Sequence, residues 1–289
     1  MDGFLNVLKP PGMTSHDVVA FLRKKLNIKK IGHLGTLDPG AAGVLPISIG
    51  KATRLSQYIF DLKKSYRAEI TFGFSTDTLD KYGNIVEVTP VRQFTNDILE
   101  NVIKKFEGNI LQIPPIYSAK KINGKKLYEY ARAGKEINIK PSTINIYEIK
   151  VLSYEIPYKL LIDVKCSKGT YIRALVRDIC KSLSVAGYMS MLIRTSVGLF
   201  NIDNSYTLED IKLDNYKLLD MDSILSLPSV YLDYIDSKKI MHGQCIENKY
   251  LFNTEKIVKL YNSDKMFIGI GNIRNSKIYV ERLLFGAEE

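Results

Sequence analysis

The chain has 289 residues, three cysteines and a net charge of +10, a length that accommodates one large domain and a small one. No apolar run is long enough to span a bilayer, and the N-terminus lacks the layout of a signal peptide, so we expect a cytoplasmic protein with no membrane partner. The cysteines are odd in number and far apart, which favours reduced thiols over a disulfide framework. The three histidines are equally scattered, and we therefore expect no metal site.

The positive charge is unevenly placed along the chain. Residues 228–289 carry 9 basic and 8 acidic side chains, so nearly all of the excess lies in residues 1–227. We expect that first part to meet a polyanion. Many soluble proteins are equally basic, so charge alone leaves nucleic acid as one option among several.

The predicted elements mix strands and helices without a regular βαβ repeat, which favours an α+β fold. In chain order they are a strand at 4–8, a helix capped by Ser15, a short helix at 51–60, a half-buried strand at 66–74, a helix at 96–106, strands at 144–151 and 160–166, a helix at 170–183 capped by Thr170, and a strand at 189–200. Beyond Leu227-Pro228-Ser229, short strands at 256–261, 266–271 and 277–283 indicate a small β-rich module. We therefore predict a domain boundary after residue 227.

The segment from Gly32 to Gly50 contains a single carboxylate, Asp38, among glycines and apolar residues. A carboxylate in such surroundings is costly unless it has a partner or a task. Pro39 restricts the backbone before it and so aims the Asp38 side chain, and the small neighbours allow a flat ligand to approach. A strand and turn with one solvated acid would have the same composition, so both interpretations stay open here.

Three further segments carry candidate chemistry. Residues 166–179 place Tyr171, Arg173 and Arg177 where a strand meets a helix, and an arginine there can hold a carboxylate, although a solvated arginine pair is the alternative. Residues 119–140 combine seven basic side chains with tyrosines, a composition suited to RNA, although a basic surface helix at 125–133 is the alternative. The Tyr66 ring at the start of a strand is predicted to face either a pocket or the core. The acidic turn at 76–80 is predicted to be solvated.

Six ordered segments together resemble the TruB family of tRNA pseudouridine synthases. They are KPPGMTSHDVV, GHLGTLDPGAAGVLP, KSYRAEITFGFSTDTLDKYG, QIPPIYSAKKINGKKLYEYARAG, CSKGTYIRALVRDI and LIRTSVGLF, and they cover about the first two hundred residues. The chain departs from the family at Leu34, where the family has threonine, and at Ile193, where it has arginine. The tail resembles a small PUA RNA-binding domain.

The resemblance implies a pseudouridine synthase fold, with a mixed, mainly antiparallel sheet and flanking helices, in residues 1–227. An RNA-clamping insertion is expected at about 115–141, and a PUA-like domain in residues 228–289. The implied reaction converts uridine 55 in the T loop of tRNA to pseudouridine through base flipping, without a cofactor. The implied partner is the T stem-loop, with the acceptor stem a candidate contact of the C-terminal domain, and the protein is expected to act as a monomer.

The resemblance also assigns roles to individual residues. Asp38 matches the catalytic nucleophile, Tyr66 the ring that faces the base and helps to remove a proton, and Arg173 the ion-pair partner of Asp38. Seven side chains are predicted to bind substrate: His33, Leu192, Tyr171, Lys120, Lys121, Lys125 and Arg132. Attack by Asp38 at C1′, its help in removing a sugar proton, and attack at C6 all stay open.

Two other classes of protein fit part of the pattern. A non-catalytic RNA-binding protein could keep this scaffold, but the intact set of Asp38, Tyr66 and Arg173 favours an enzyme. A glycoside hydrolase would need a second carboxylate near Asp38. Asp77 and Asp80 are the candidates for that carboxylate, and both lie in the turn interpreted as solvated.

Overall fold

The computed structural model describes residues 1–59, 62–91, 93–135, 137–155, 158–250 and 256–285. Residue 60 of the predicted helix at 51–60, residue 136 of the insertion, and residues 251–255 and 286–289 of the predicted C-terminal domain lie outside the described residues. The helices are α1 (Ser15–Leu26), α2 (Asn96–Lys104), α3 (Leu127–Arg132), α4 (Ile172–Ser182), α5 (Leu208–Lys212) and α6 (Tyr234–Met241), with 3-10 helices at Gly50–Tyr58 and Ile202–Asn204. The strands are β1 (Gly3–Lys9), β2 (Ile31–His33), β3 (Ala42–Ile49), β4 (Lys64–Phe72), β5 (Phe74–Thr76), β6 (Ile85–Val88), β7 (Gly108–Gln112), β8 (Lys121–Ile122), β9 (Lys125–Lys126), β10 (Ser142–Glu155), β11 (Lys159–Cys166), β12 (Gly187–Val197), β13 (Phe200–Asn201), β14 (Ser229–Tyr231), β15 (Ile246–Glu247), β16 (Lys256–Tyr261), β17 (Phe267–Arg274) and β18 (Lys277–Leu283).

A nine-stranded sheet forms the centre of the larger part of the molecule. Its strand order is β1-β3-β12-β4-β11-β10-β7, with β2 added to β3 and β13 to β12. All of its described pairs are antiparallel except β3 with β12, which run parallel. Together with the helices that flank it, this sheet confirms the α+β prediction and the mixed, mainly antiparallel topology.

Strand β4 shows how the sequence pattern sets the burial of the sheet. Tyr66, Ala68, Ile70 and Phe72 alternate with more exposed residues and are at most 8% exposed, as period-two patterning requires. The strand ends at Phe72, because Gly73 takes a positive φ of 113°, and Phe74 starts the separate strand β5. The predicted strand at 66–74 therefore lay two residues too far along the chain, because β4 runs from Lys64 to Phe72.

The C-terminal strands form a five-stranded sheet in the order β14-β16-β17-β18-β15, which confirms the small β-rich module. The strands predicted at 256–261 and 277–283 match β16 and β18. An apolar cluster that includes Phe4, Leu55, Ile224, Ile270 and Leu284 joins this sheet to the larger part. The assignment of the division after residue 227 stays a prediction.

The helices of the described residues are all too short or too polar to cross a membrane. Nor do those residues bring three or more histidine, cysteine, aspartate or glutamate side chains into an arrangement suited to a metal ion.

Candidate active site

The loop between β2 and β3 carries Asp38, and hydrogen bonds from α1 hold it. Ser15 Oγ accepts from the Leu37 amide at 2.9 Å and donates to the Leu37 carbonyl at 3.1 Å. Both backbone groups of the residue before Asp38 are thereby fixed. The prediction that Ser15 caps α1 is wrong, because Thr14 and Asp17 form a reciprocal capping box one residue earlier.

A buried lysine supports the same loop from below. Lys9 is 0% exposed, and its Nζ donates to the carbonyls of Pro10 at 2.8 Å, Met13 at 2.7 Å and Pro39 at 3.2 Å. Burial lowers the pKa of Lys9 to about 8, while the Asp38 carboxylate opposes that shift. The ammonium therefore ties the end of β1 to the residue that follows Asp38.

Arg194 fixes the other side of the loop. It is also 0% exposed, and its guanidinium donates to the carbonyls of Val44 at 2.7 Å, Gly35 at 3.1 Å and Thr36 at 3.2 Å. Arg194 lies opposite Gly43 on β3 and opposite Tyr66 on β4. The loop is thus attached to the central strands by a fully buried side chain.

Gly43 is needed for this strand contact. A Cβ atom there would lie 2.2 Å from the Arg194 carbonyl oxygen, and its φ is +117°. At this position the absence of a side chain lets two strands approach each other. The expected use of the glycines to admit a flat ligand does not apply to Gly43.

Arg173, on α4, connects three other segments of the chain around Asp38. Its Nε lies 2.9 Å from Asp38 Oδ2, so the predicted ion pair is present. Its two terminal nitrogens donate to the carbonyls of Thr78 at 3.1 Å and Tyr117 at 2.9 Å. Since only 7% of the Arg173 side chain is exposed, these bonds make it a buried junction between the Asp38 loop, the acidic turn and the insertion.

Asp80 joins the same arginine, and the interpretation of the whole acidic turn as solvated is wrong. Asp80 Oδ2 lies 3.8 Å from Arg173 Nη1, and the Asp80 side chain is 17% exposed. Its Oδ1 accepts from Thr78 Oγ1 at 2.7 Å and from the Tyr82 amide at 3.0 Å. A carboxylate held beside a guanidinium in this way is placed to orient Arg173, which argues against the glycoside hydrolase alternative.

A cavity of about 930 Å³ opens directly above Asp38. Among the sequence-predicted residues, Asp38, Arg173, Leu192 and Arg132 line it. A volume of this size is in the range of small-molecule sites and accepts more than one nucleotide base. The carboxylate, its arginine and an apolar wall from β12 therefore face one open cavity.

Tyr66 is not among the described residues that line the cavity. It is 8% exposed and stands on the same face of the sheet as Leu192, which is opposite Ala68 two residues further along β4. Burial raises the pKa of the Tyr66 phenol, although the Arg194 guanidinium acts in the opposite direction. The hydroxyl is therefore protonated near neutral pH in the free protein.

Two other predicted residues lie beside the cavity and are partly buried. The His33 ring makes an edge contact with the ring of His16, centroid to centroid 5.4 Å, and His16 lines the cavity. Burial, followed by the charges of His16 and Arg194, lowers the pKa of His33. Tyr171 is the N-cap residue of α4, without a side-chain capping hydrogen bond, so the prediction that Thr170 caps this helix is wrong. The Tyr171 amide donates to Gln112 Oε1 at 2.8 Å.

Two cations of the insertion line the cavity, of which Arg132 was predicted and Lys126 was not. Lys120 Nζ contacts Ser142 Oγ at 2.5 Å, whereas Lys121 and Lys125 are exposed on the hairpin of β8 and β9. The insertion residues that line the cavity are Tyr117, Ser118, Ala119, Lys126, Tyr128 and Arg132. Lys126 and Arg132 both lie over the Tyr128 ring, at 5.4 and 5.3 Å from its centroid. The alternative of a helix over 125–133 is confirmed in part, because α3 covers Leu127–Arg132 while Lys125 and Lys126 form strand β9.

Replacing Lys9 by methionine should lower the free energy of unfolding by about 1–3 kcal/mol, because three buried carbonyls lose their donor. The folded protein releases the Lys9 proton near pH 8 and the unfolded chain near 10.5, so the unfolded state binds more protons between these values. The contribution of Lys9 to the free energy of unfolding should therefore rise as the pH rises from about 8 to 10.5 in the wild type. The Lys9→Met variant should lack this rise. Urea unfolding of both proteins across the window measures this. Exposed Lys29→Met is the control, and equal pH dependence in Lys9→Met would contradict the assignment.

Comparisons with known proteins agree with this geometry. Residues 23–172 match the family model described as "TruB family pseudouridylate synthase (N terminal domain)", and residues 228–284 match "Pseudouridine synthase II TruB, C-terminal". A protein named tRNA pseudouridine synthase B from Caldanaerobacter subterraneus subsp. tengcongensis is 58% identical, over 98% of this chain and 99% of that protein. One of the same name from Alkaliphilus oremlandii is 46% identical over the full length of both.

Solved structures show the same architecture. The crystal structure of a Cbf5-Nop10-Gar1 complex contains a chain that matches 99% of this one, with a TM-score of 0.75 and 26% identity, over 86% of its own length. A structure of an H/ACA RNP bound to a substrate RNA containing 2′-deoxyuridine matches 98% of this chain and 85% of its own, with a TM-score of 0.73 and 26% identity. With both parts of the sequence matched and the relatives covered end to end, this chain belongs to the TruB family of pseudouridine synthases.

Proposed function

We propose that this enzyme converts uridine 55 in the T loop of tRNA to pseudouridine, with Asp38 as the nucleophile. The observation that carries the proposal is the Asp38–Arg173 pair at the base of a cavity bordered by the basic insertion. The tRNA substrate is supported by the names of relatives up to 58% identical over nearly the whole chain.

The reaction conserves every atom of the substrate. The N1–C1′ bond breaks, the uracil turns, and a C5–C1′ bond forms, while C5 loses a proton and N1 ends with one. No electrons are gained or lost, so the residues need only cleave, reposition and rejoin. Asp38 supplies the covalent step, and Arg173 orients its carboxylate.

The target uridine has to leave its stack to reach Asp38, at a cost of a few kcal/mol. Cations around an aromatic ring offset this cost by binding phosphates and unstacked bases. Lys126, Tyr128 and Arg132 form such a group at the cavity edge. We propose that these three residues, rather than Lys120, Lys121 and Lys125, make the insertion's contacts nearest the target base.

We also propose roles for the other residues around the cavity and for the C-terminal part of the chain. His33 and Tyr171 contact the displaced region of the loop beside the cavity, and Leu192 forms the apolar wall against the base. Residues 228–289 form a separate RNA-binding domain that reaches the acceptor stem. The enzyme acts as a monomer in the cytoplasm.

Tritium release tests the function directly. An unmodified tRNA transcript labelled at C5 of uridine should lose one tritium per molecule, and site-resolved mapping should place the pseudouridine at position 55. Tight binding without release would favour an RNA-binding protein without this activity. Modification at another position would contradict the uridine 55 assignment and leave the chemistry in place.

Tyr66→Phe should preserve RNA binding and slow turnover by about 10²–10⁴-fold, the scale of losing a general base. Burial raises the pKa of Tyr66, so the reactive phenolate becomes more abundant as the pH rises. The advantage of the wild type over Tyr66→Phe should therefore grow between about pH 6 and 9 in single-turnover rates. Turnover equal to wild type would remove the hydroxyl from the mechanism.

A further inference from the structure

Tyr82 is a large exposed ring at the mouth of the cavity, and none of the roles assigned above uses it. Its surface is 63% exposed, yet it lines the same cavity as Asp38. The ring lies directly against the Gly40 backbone, since a Cβ atom on Gly40 would be 2.0 Å from Tyr82 Cε2. The Tyr82 ring thus lies next to the backbone of Gly40, a residue only two positions after Asp38.

The backbone that carries Tyr82 is held rigidly. The Tyr82 amide donates to Asp80 Oδ1 at 3.0 Å, and Asp80 also contacts Arg173. The Leu79 carbonyl accepts from the Met189 amide of β12 at 3.1 Å. The ring's position is therefore set by the active-site network and not by burial of the ring itself.

An exposed ring on a rigid turn binds a flat partner at low entropic cost. The neighbouring Lys81 ammonium lies 5.3 Å from the ring centroid, so a cation accompanies the aromatic surface. A ring and a cation together match an unstacked base and its phosphate.

Resting on the proposed function, we propose that Tyr82 is a stacking platform for a second unpaired base, one that adjoins the target uridine in the RNA loop. The target base enters the cavity above Asp38, and the adjacent base lies on the exposed face of the Tyr82 ring. Lys81 contacts the phosphate between them. Tyr82 is thus a binding residue that fixes which nucleotide of the loop is placed over the carboxylate.

The test uses the full-length protein and a tRNA stem-loop in which each loop position in turn, except the target, carries an abasic nucleotide. Tyr82→Phe keeps the ring and should bind as the wild type does. Tyr82→Ala should bind the intact stem-loop about 10-fold or more weakly, on the scale of one base–aromatic stack. At one loop position, the abasic nucleotide should weaken RNA binding by the wild-type protein by a similar factor. The same abasic RNA should bind Tyr82→Ala as tightly as the intact stem-loop does.

Tyr158→Ala is the matched control, because this tyrosine is 61% exposed and is not among the described residues that line the cavity. The stacking role would be overturned if Tyr82→Ala bound the intact stem-loop with wild-type affinity. It would also be overturned if the loss of affinity from Tyr82→Ala and the loss from the abasic nucleotide were independent at every loop position. A lower saturating rate with unchanged affinity would also overturn it, since the ring would then act on the nucleophile loop. A wild-type protein that binds the intact stem-loop and forms no pseudouridine contradicts the proposed function instead.

Discussion

Asp38→Asn should abolish pseudouridine formation, lowering the single-turnover rate by at least about 10⁴-fold, the scale seen when a nucleophile is removed. The amide has nearly the same shape as the carboxylate but neither its charge nor its nucleophilic oxygen. RNA binding should persist, because Lys126, Tyr128 and Arg132 are untouched and line the other side of the cavity. Tritium release and filter binding on the same transcript separate the two effects.

The matched control is Asp214→Asn, which makes the same chemical change at a side chain that is 69% exposed and paired with Lys25. It should leave turnover unchanged, since exposed ion pairs contribute little to stability. Turnover in Asp38→Asn close to that of this control would exclude Asp38 as the nucleophile.

Arg173→Lys should reduce single-turnover rates by about 10²–10³-fold, as expected when a preorganised donor is lost from an active site. One ammonium cannot contact Asp38, Asp80 and the carbonyls of Thr78 and Tyr117 together. Arg173→Met should also lower the free energy of unfolding by about 2–4 kcal/mol. This loss is smaller than the one expected on breaking a fully buried ion pair, because the Asp38 side chain is 38% exposed. Urea unfolding and single-turnover assays measure these two effects.

Arg177→Lys provides the comparison one helical turn later. Arg177 pairs with its neighbour Asp178 at 2.8 Å, and its side chain is 32% exposed, so the change should alter neither turnover nor stability appreciably. If Arg173→Lys behaves like Arg177→Lys, then Arg173 does not hold the carboxylate in place for the reaction.

Local patterns predicted most of the elements correctly. The alternation of Tyr66, Ala68 and Ile70 survives as a buried face of β4, because side-chain direction in a strand depends only on the spacing along the chain. Helix boundaries were less predictable. Ser15 and Thr170 were both reasonable caps by residue type, but Thr14 had the better partner in Asp17, and Gln112 reached the start of α4 from a distant strand.

The acidic turn shows why part of the site was missed. Asp80 lies among polar neighbours in sequence, which is typical of a solvated turn. It becomes a partner of Arg173 only because β4, the turn and α4 come together in the fold. The exposed ring of Tyr82 follows from the same arrangement, since the turn that Asp80 anchors also places that ring over Gly40.

The sequence by itself determined the family, the α+β class and the carboxylate that stands alone in an uncharged segment, since each depends on residue type and order. Only the tertiary structure showed that Lys9 and Arg194 are fully buried beneath that carboxylate's loop. Lysine and arginine are almost never fully buried, so nothing in their local spacing predicts it. Their burial depends on backbone carbonyls supplied by segments up to 159 residues away in the chain, and such partners are set by the packing of the whole fold.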